Sequence, residues 1–258
     1  MIQVFALCGG YLELPYESMI RDAAPSRWTV PIACFLIVHP RGRLLFDTGL
    51  HCDTRTMMRE RYGEERARRF GVHSGPGDDV VSQLGRLGLE PADVPLVANS
   101  HWHFDHCGAN ESFPNMPILV QEREMEAARS PELLAQGRYR PSAPDYDHPL
   151  RYEAVDGEHD VFGDGQVVLF PTYGHTPGHQ SLLLRPDRGT RLVLTADACY
   201  TRENMDRDVL PTVLWDETER SHSLRRLRDL RDKYGATTLY GHDPEQWSTL
   251  KRAPAPLG

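Results

Sequence analysis

Four side chains that commonly bind metal ions lie within six residues, in the pattern His101-x-His103-x-Asp105-His106. Histidine and carboxylate supply the nitrogen and oxygen ligands that zinc prefers. The pattern follows a short apolar run, residues 96–98. In an extended segment residues two apart point the same way, so His101 and His103 could grip one ion. Asp105 and His106 follow where the chain turns and could face a second ion, so the pattern indicates a metal site rather than a histidine-rich surface loop.

Additional ligand-type side chains lie in the later half of the chain. His175, Asp197 and His242 each occur where a short apolar run ends. Four ligands cannot fill two four-coordinate sites, so further ligands must come from elsewhere in the sequence. Each of the three alone would more often be a loop or hydrogen-bonding residue. Strand ends that meet at one edge of a sheet layer would bring them together with the first four.

The elements that must position these residues follow from apolar spacing. Residues 80–87 and 224–230 have the apolar periodicity of helices. Asp78 is placed to cap the first helix, Asp216 is placed to cap the second, and Gly235 is placed to end the second. Strands with helices interspersed indicate a layered α/β protein. Runs of strand length, rich in Val, Ile, Leu and Phe, are residues 2–7, 32–38, 44–46, 96–98, 118–120, 167–170, 181–184 and 192–195.

Two segments read as insertions between core elements. Residues 50–77 predict a helix flanked by glycines, and residues 122–150 predict a helix followed by a loop rich in Pro, Asp and Tyr. The Pro-rich tail after Arg252 is expected to fray. Because the sequence has no internal repeat, low-complexity tract or linker, residues 1–258 are predicted to form a single domain.

The composition disfavours several classes of partner. The chain has 258 residues and a formal net charge of −8, which makes it a poor partner for nucleic-acid phosphates. The arginines of residues 55–69 alternate with glutamates, as on a solvated helix face. No run is apolar enough to span a bilayer, and the N-terminus lacks the pattern of a signal peptide. Neither nucleic acid nor membrane is therefore an expected partner.

Cysteine usage indicates a reducing compartment. The five cysteines are scattered, and none forms a CxxC pair, so neither a disulfide framework nor a thiolate zinc site is expected. A cytoplasmic location fits this pattern. The sequence carries no signal for the oligomeric state and leaves a homodimer open.

The order HxHxDH, His, Asp, His resembles the metallo-β-lactamase superfamily across most of the chain. The resemblance implies an αββα sandwich, in which two mixed sheets are flanked by helices and a two-metal site lies at one edge. It also implies that Asp47, in the sequence Asp-Thr-Gly, supports the ligands from behind. The ligands that it implies are His101, His103 and His175 for the first metal, Asp105, His106 and His242 for the second, and Asp197 as a bridge between them.

Narrower motifs resemble the N-acyl homoserine lactonases of that superfamily. Tyr200 follows Asp197 by three residues, residues 241–246 resemble the ending GHDxEQ, and residues 174–181 resemble the turn GHxPGHQS. The resemblance implies a zinc-dependent hydrolase that opens the lactone ring. Two divalent ions would lower the pKa of a water that bridges them to about 7, and the hydroxide so formed would attack the ring carbonyl. Tyr200 would hydrogen-bond to the substrate, and Asp105 would pass a proton to the leaving group.

Several residues near the motifs are expected to have other tasks. His179 is interpreted as structural in its turn, and Cys107 as a small packed residue. An acyl chain needs an apolar groove, but the candidates for it are more often core or lid residues. These candidates are Met19, Ile20, Trp28, Met57, Met58, Tyr62 and Phe70. The sequence contains neither a GxSxG elbow nor a GxGxxG or Walker loop, so a serine nucleophile and a nucleotide cofactor are not indicated.

The sequence leaves alternative substrates open. A lactonase for another ring, such as a pyridoxolactone, or a glyoxalase II-like thioesterase would use the same ligands. Class B β-lactamases are disfavoured because the commonest type has Cys where Asp197 stands, and because an export signal is missing. Nucleases would prefer a basic surface, and iron-based redox proteins of this fold carry a flavin domain for which the chain is too short. The ligands would also accept cobalt, manganese or iron.

Overall fold

The first sheet of the structure, a computed structural model that describes residues 1–186 and 189–257, has seven strands. Its strand order is β4-β1-β2-β3-β5-β6-β7. The β1-β2-β3 part is antiparallel, whereas β3, β5, β6 and β7 run parallel, so the sheet is mixed. The strands are β1 (Gln3–Pro15), β2 (Arg27–His39), β3 (Gly42–Phe46), β4 (Gly71–Val72), β5 (Val97–Ala98), β6 (Ile118–Gln121) and β7 (Tyr152–Val155).

The second sheet has five strands in the order β12-β11-β10-β9-β8. Its strands are antiparallel except for β11 and β12, which pair in parallel. The strands are β8 (His159–Asp160), β9 (Val167–Pro171), β10 (Gln180–Leu184), β11 (Leu192–Leu194) and β12 (Thr237–Leu239). All eight strand-length runs of the sequence therefore lie in strands, while the short strands β4, β7, β8 and β12 have no counterpart among those runs.

Helices cover the outer faces of both sheets. They are α1 (Thr54–Arg69), α2 (Val80–Arg86), α3 (Phe104–Cys107), α4 (Glu122–Arg129), α5 (Pro131–Ala135), α6 (Ala143–Tyr146), α7 (Arg202–Arg207), α8 (Glu217–Asp232) and α9 (Pro244–Thr249). Residues 122–150 thus contain three short helices, so the loop predicted after the first of them was wrong in part. Among the described residues, no helix has the length and apolar character that a membrane span requires.

Three apolar layers hold the elements together. Along β2, Leu36 packs beneath α1 and α2, whereas the adjacent Phe35 faces the second sheet, as the two-residue period of a strand requires. A third layer joins the far face of the second sheet to α7 and α8, with Phe170 against Leu224 and its neighbours. Because both sheets are covered on both faces, their strands read as continuous apolar runs. The layers confirm the predicted αββα sandwich of two mixed sheets flanked by helices.

Helix ends agree with the sequence predictions except at α2. Asp216 caps α8 by accepting a hydrogen bond from the Glu219 amide at 2.8 Å, as predicted. Gly235 ends the same helix with a positive φ of 64°, which glycine adopts without strain. The predicted cap Asp78 is wrong, because its carboxylate instead accepts from Gly75 N, and Asp79 caps α2 at the Ser82 amide.

The C-terminal tail is docked, so the prediction that it frays was wrong. The amides of Ala253 and Leu257 donate to the carbonyls of Ala6 and Val4, at 3.0 and 2.7 Å. In the described part of the chain no other strand pairs with that edge of β1 at these residues, since β4 pairs with it only around Leu12. The unpaired carbonyls of β1 explain why the tail settles there.

Candidate active site and metal centre

Strand ends from both sheets converge at one edge of the sandwich. The segment after β5 carries His101, His103, Asp105 and His106, the last two within α3. His175 lies between β9 and β10, Asp197 follows β11, and His242 follows β12. The structure brings all seven side chains into two neighbouring groups, called here the ligand cluster. The members of the ligand cluster are His101, His103, Asp105, His106, His175, Asp197 and His242.

Three imidazole nitrogens meet in the first group. His101 Nε2 lies 2.9 Å from His103 Nδ1, and His175 Nε2 lies 3.2 and 3.0 Å from those two atoms. Burial and the neighbouring rings lower the pKa of His101 and of His103 well below the ordinary histidine value. The rings are therefore neutral, with lone pairs available for a metal. A tetrahedral zinc ion with bonds of about 2.0–2.1 Å separates its nitrogen ligands by about 3.3 Å, close to these distances.

Asp197 connects the first group to the second. Its Oδ2 lies 3.1 Å from His175 Nε2, while its Oδ1 lies 3.0 Å from both His106 Nε2 and His242 Nε2. Asp105 Oδ2 completes the second group at 3.7 Å from the same two nitrogens. One carboxylate that turns an oxygen toward each group has the arrangement of a bridging ligand.

The electrostatics of the ligand cluster suit bound cations. Burial opposes the charged form of Asp197, yet His106, His242 and His175 hold its pKa well below the ordinary value. Although they lie 3.0 Å apart, the buried atoms His106 Nε2 and Asp197 Oδ1 have no hydrogen-bond partner among the described residues. Unsatisfied buried polar atoms are unfavourable, and a metal ion would satisfy both. The residues present therefore fit a pair of divalent ions.

Hydrogen bonds from behind fix the ligand rings. Asp47 Oδ1 accepts from the Ser100 amide at 2.6 Å, and Asp47 Oδ2 lies 2.8 Å from both Ser100 Oγ and His106 Nδ1. His242 Nδ1 lies 2.8 Å from the carbonyl of Pro31. Such partners select the tautomer that leaves the opposite nitrogen free for a metal. Asp47 thus occupies the supporting position that the sequence predicts.

Glu124 of α4 joins the two loops that carry the first group, and the sequence analysis missed it. Its Oε1 accepts from the Trp102 amide at 2.9 Å and from Tyr139 at 2.8 Å. Its Oε2 accepts from Thr176 Oγ1 at 2.7 Å and from Gly178 N at 2.9 Å. Each oxygen of this fully buried carboxylate therefore accepts from a main-chain amide of a ligand-bearing loop.

Arg220 is a second charged residue that the sequence analysis missed. It is 1% exposed, donates to the main-chain carbonyl of Asp197, and places its guanidinium 5.3 Å from the ring centroid of Tyr200. Gly174, with φ of +115°, makes room for it, because a Cβ there would lie 2.2 Å from Arg220 N. The buried guanidinium packs Tyr200 against the site.

Tyr200 lies beside the first group. Its hydroxyl is 3.1 Å from His175 Nδ1, and burial raises its pKa well above the ordinary tyrosine value, with Asp197 adding to the effect. The phenol therefore keeps its proton and can donate it to an oxygen. His179 lies outside the ligand cluster, 2.9 Å from Thr172 Oγ1, as expected of a residue that shapes the turn. Cys107 is buried and donates to the His103 carbonyl at 3.2 Å.

A cavity of about 260 Å³ opens onto the ligand cluster and Tyr200. Of the residues proposed for an apolar groove, Met19 and Phe70 line it. Met57 is 45% exposed instead, and the remaining candidates, Ile20, Trp28, Met58 and Tyr62, pack in or against the first apolar layer. The apolar lining consists of Leu14, Met19, Phe70, Phe104 and Val213. Four arginines share the lining, namely Arg66, Arg69, Arg138 and Arg140.

The fold and the ligand cluster together define the class. The model of the metallo-beta-lactamase superfamily matches residues 27–242. An N-acyl homoserine lactonase AttM from Azorhizobium caulinodans is 35% identical over 259 residues, covering 98% of this chain and 97% of the relative. The AttM of Agrobacterium fabrum is 34% identical with the same coverage. The chain belongs to the metallo-beta-lactamase superfamily and, within it, to the family of N-acyl homoserine lactonases.

Solved structures of the family have the same fold. An N-acyl homoserine lactone hydrolase with the product N-hexanoyl-L-homoserine at its catalytic metal centre matches with a TM-score of 0.87 and 30% identity, covering 99% of this chain and 98% of that one. A point mutant of AiiA from Bacillus thuringiensis, with N-decanoyl-L-homoserine bound at its active site, matches with a TM-score of 0.86 and 28% identity, with the same coverage.

Proposed function

We propose that the protein is a dinuclear metal hydrolase that opens the lactone ring of N-acyl homoserine lactones. The observation that carries the proposal is the pair of ligand groups that share Asp197 and face a cavity beside Tyr200. The family relatives support a lactone as substrate over the thioester that the same ligands would allow. The whole chain, residues 1–258, would act as one hydrolase domain.

The ligand assignment is part of the proposal. His101, His103 and His175 would hold one ion, and Asp105, His106 and His242 the other. Asp197 would serve both, as the separate directions of its two oxygens favour. Zinc is the proposed metal because the ligands are imidazole nitrogens and carboxylate oxygens. A reducing cytoplasm suits the five cysteines, whose thiols are all free.

The reaction adds water across the ester bond of the ring. When bound, the two ions would lower the pKa of water and polarise the ring carbonyl. Tyr200 would donate its hydroxyl proton in a hydrogen bond to the carbonyl oxygen, where negative charge develops as the carbon becomes tetrahedral. As the ring C–O bond breaks, the Asp105 carboxylate, through the oxygen not turned to the second group, would hold the proton taken from water and deliver it to the departing alkoxide. The products are a hydroxyl and a carboxylate, and one proton is released.

Proton release tests the proposal directly. Purified protein loaded with zinc would be mixed with N-butanoyl, N-hexanoyl and N-decanoyl homoserine lactone, beside a sample stripped by a chelator. We expect metal-dependent acid release and two zinc ions per chain by elemental analysis. Two bound ions with no release from any of the lactones would contradict the proposed substrate class.

A further inference from the structure

Positive charge is concentrated in the wall of the cavity, although the chain as a whole is acidic. Arg66 and Arg69 come from α1, and Arg138 and Arg140 come from the segment between α5 and α6. Within the described lining, Glu65 is the one acidic side chain outside the ligand cluster, and it pairs with Arg140. The other three arginines, called here the arginine wall, have no carboxylate partner in the lining.

Arg66 packs beside the segment that carries the metal-binding side chains. Its guanidinium carbon is 5.7 Å from the ring centroid of Phe104, the residue between His103 and Asp105. Among the described residues the one hydrogen bond of its side chain runs from Nη2 to the Arg140 carbonyl, at 2.7 Å. A guanidinium has five N–H donors, so most of those on this half-buried side chain have no acceptor from the protein.

The other members of the arginine wall also keep free donors. Arg69 donates to Ser18 Oγ at 3.2 Å and lies with its guanidinium carbon 5.7 Å from the Phe70 ring centroid. Arg138, in the described part of the chain, forms neither a hydrogen bond nor an ion pair and lines the cavity. The wall therefore presents N–H groups next to apolar surface.

The chemistry of an acyl chain decides how it fits such a wall. An unsubstituted alkyl chain packed against the arginine wall would displace water from the N–H donors without offering them a hydrogen-bond acceptor. Leaving these donors without an acceptor is unfavourable. A keto or hydroxyl oxygen on the chain would supply that acceptor to a charged donor. Building on the proposed lactonase function, we propose that the arginine wall selects N-acyl homoserine lactones whose acyl chain carries such an oxygen.

Selection for an acyl-chain oxygen can be tested with two substrates of equal chain length, N-(3-oxohexanoyl) and N-hexanoyl homoserine lactone. We expect kcat/KM of the zinc-loaded wild type to favour the oxo compound by about tenfold, because a hydrogen bond from a charged donor is gained. Arg66→Met keeps the length of the stem and removes the donors, so it should reduce that preference to about twofold or less. Most of the change should come from slower hydrolysis of the oxo compound.

The control is Arg55→Met, on an exposed position of the same helix outside this cavity, which should leave the preference unchanged. Equal kcat/KM values of the wild type for the two lactones would overturn the inference while leaving the lactonase function intact, even if Arg66→Met failed to fold. A preference that survives in Arg66→Met and in Arg69→Met would overturn it as well. No hydrolysis of either lactone would instead overturn the proposed function, and the inference with it.

Discussion

The carboxylates behind the ligand cluster and the side chains of the arginine wall differ in how fully their polar atoms are satisfied. Behind the ligands, Asp47 and Glu124 place every carboxylate oxygen on at least one donor. In the wall, Arg66 and Arg138 leave most of their donors without an acceptor from the residues that the structure describes. A network whose hydrogen bonds are all satisfied is held in one geometry, whereas N–H donors without a protein partner can donate to groups of a bound ligand.

The difference indicates a division between chemistry and selectivity. The ligand cluster is positioned by strand ends and buried hydrogen bonds, so it can hold metals the same way for every substrate. The arginine wall comes from α1 and from the segment after α5, elements outside the two sheets. Changes in the cluster should therefore abolish turnover for every lactone, whereas changes in the wall and its apolar neighbours should alter the ranking of substrates.

The largest effect is expected for Asp197→Ala. Both groups lose the carboxylate that they share, so the protein should bind fewer than two metal ions. Activity should fall by more than about 100-fold, a larger loss than is usual when a hydrogen-bond partner of a metal ligand is removed. Elemental analysis and proton release would measure the two losses. Asp229→Ala, an exposed position on α8, is the control. An Asp197→Ala enzyme with two ions and full rate would show that the residue is not a ligand.

Glu124→Gln should have the second-largest effect, on zinc affinity and on the stability of the fold. The new amide places N–H groups against donors from Trp102 or Gly178, which should lower zinc affinity about 10- to 100-fold and destabilise the fold by about 2 kcal/mol. Competition with a chromogenic chelator measures the first quantity and urea unfolding the second. The matched control is Glu126→Gln, an exposed position on the same helix. Wild-type zinc affinity in Glu124→Gln would mean that the loops hold their positions without this carboxylate.

Tyr200→Phe separates donation from metal binding. Because the hydroxyl is lost and the ring stays, two zinc ions should remain while kcat falls about 10²- to 10³-fold, the size found when one donor to a developing oxyanion is removed. Tyr234→Phe changes a tyrosine that is 57% exposed and should have no effect. Full kcat in Tyr200→Phe, with both ions bound, would remove the residue from the proposed mechanism.

The smallest effect concerns the apolar side of the cavity. Met19 is 2% exposed and lines the cavity, so Met19→Ala should lower kcat/KM for the decanoyl lactone by about three- to tenfold, with zinc content unchanged. Met57→Ala should change nothing, since Met57 is 45% exposed outside the cavity. An equal loss for butanoyl and decanoyl lactones would mean that Met19 supports the fold and does not contact the acyl chain.

The sequence was sufficient for the core of the fold and for the residues that converge. Fully covered strands leave continuous apolar runs, and those runs located the strands that precede the ligands, except for β12 before His242. The spacing of His101, His103, Asp105 and His106 is local, so it could be read directly. The order of the later ligands could be read because each follows a strand.

The remaining features depend on contacts that have no local signal. Glu124 and Arg220 lie in helices rich in charged residues and look solvated, and only tertiary packing shows that they are buried. The arginines of residues 55–69 fit a solvated face, yet Arg66 and Arg69 line the cavity. Two adjacent acids at 78 and 79 gave no means to choose the cap of α2, because the choice depends on the geometry of the preceding turn.

The docked tail covers an edge of β1 in the first sheet. An uncovered strand invites pairing with another copy of the chain and is a common route to aggregation. Ala253 and Leu257 occupy the carbonyls of Ala6 and Val4 that would otherwise be available for such pairing. A purification tag fused at the C-terminus therefore sits beside a protective contact, and the N-terminal end or a long flexible spacer is the safer choice for expression at high concentration.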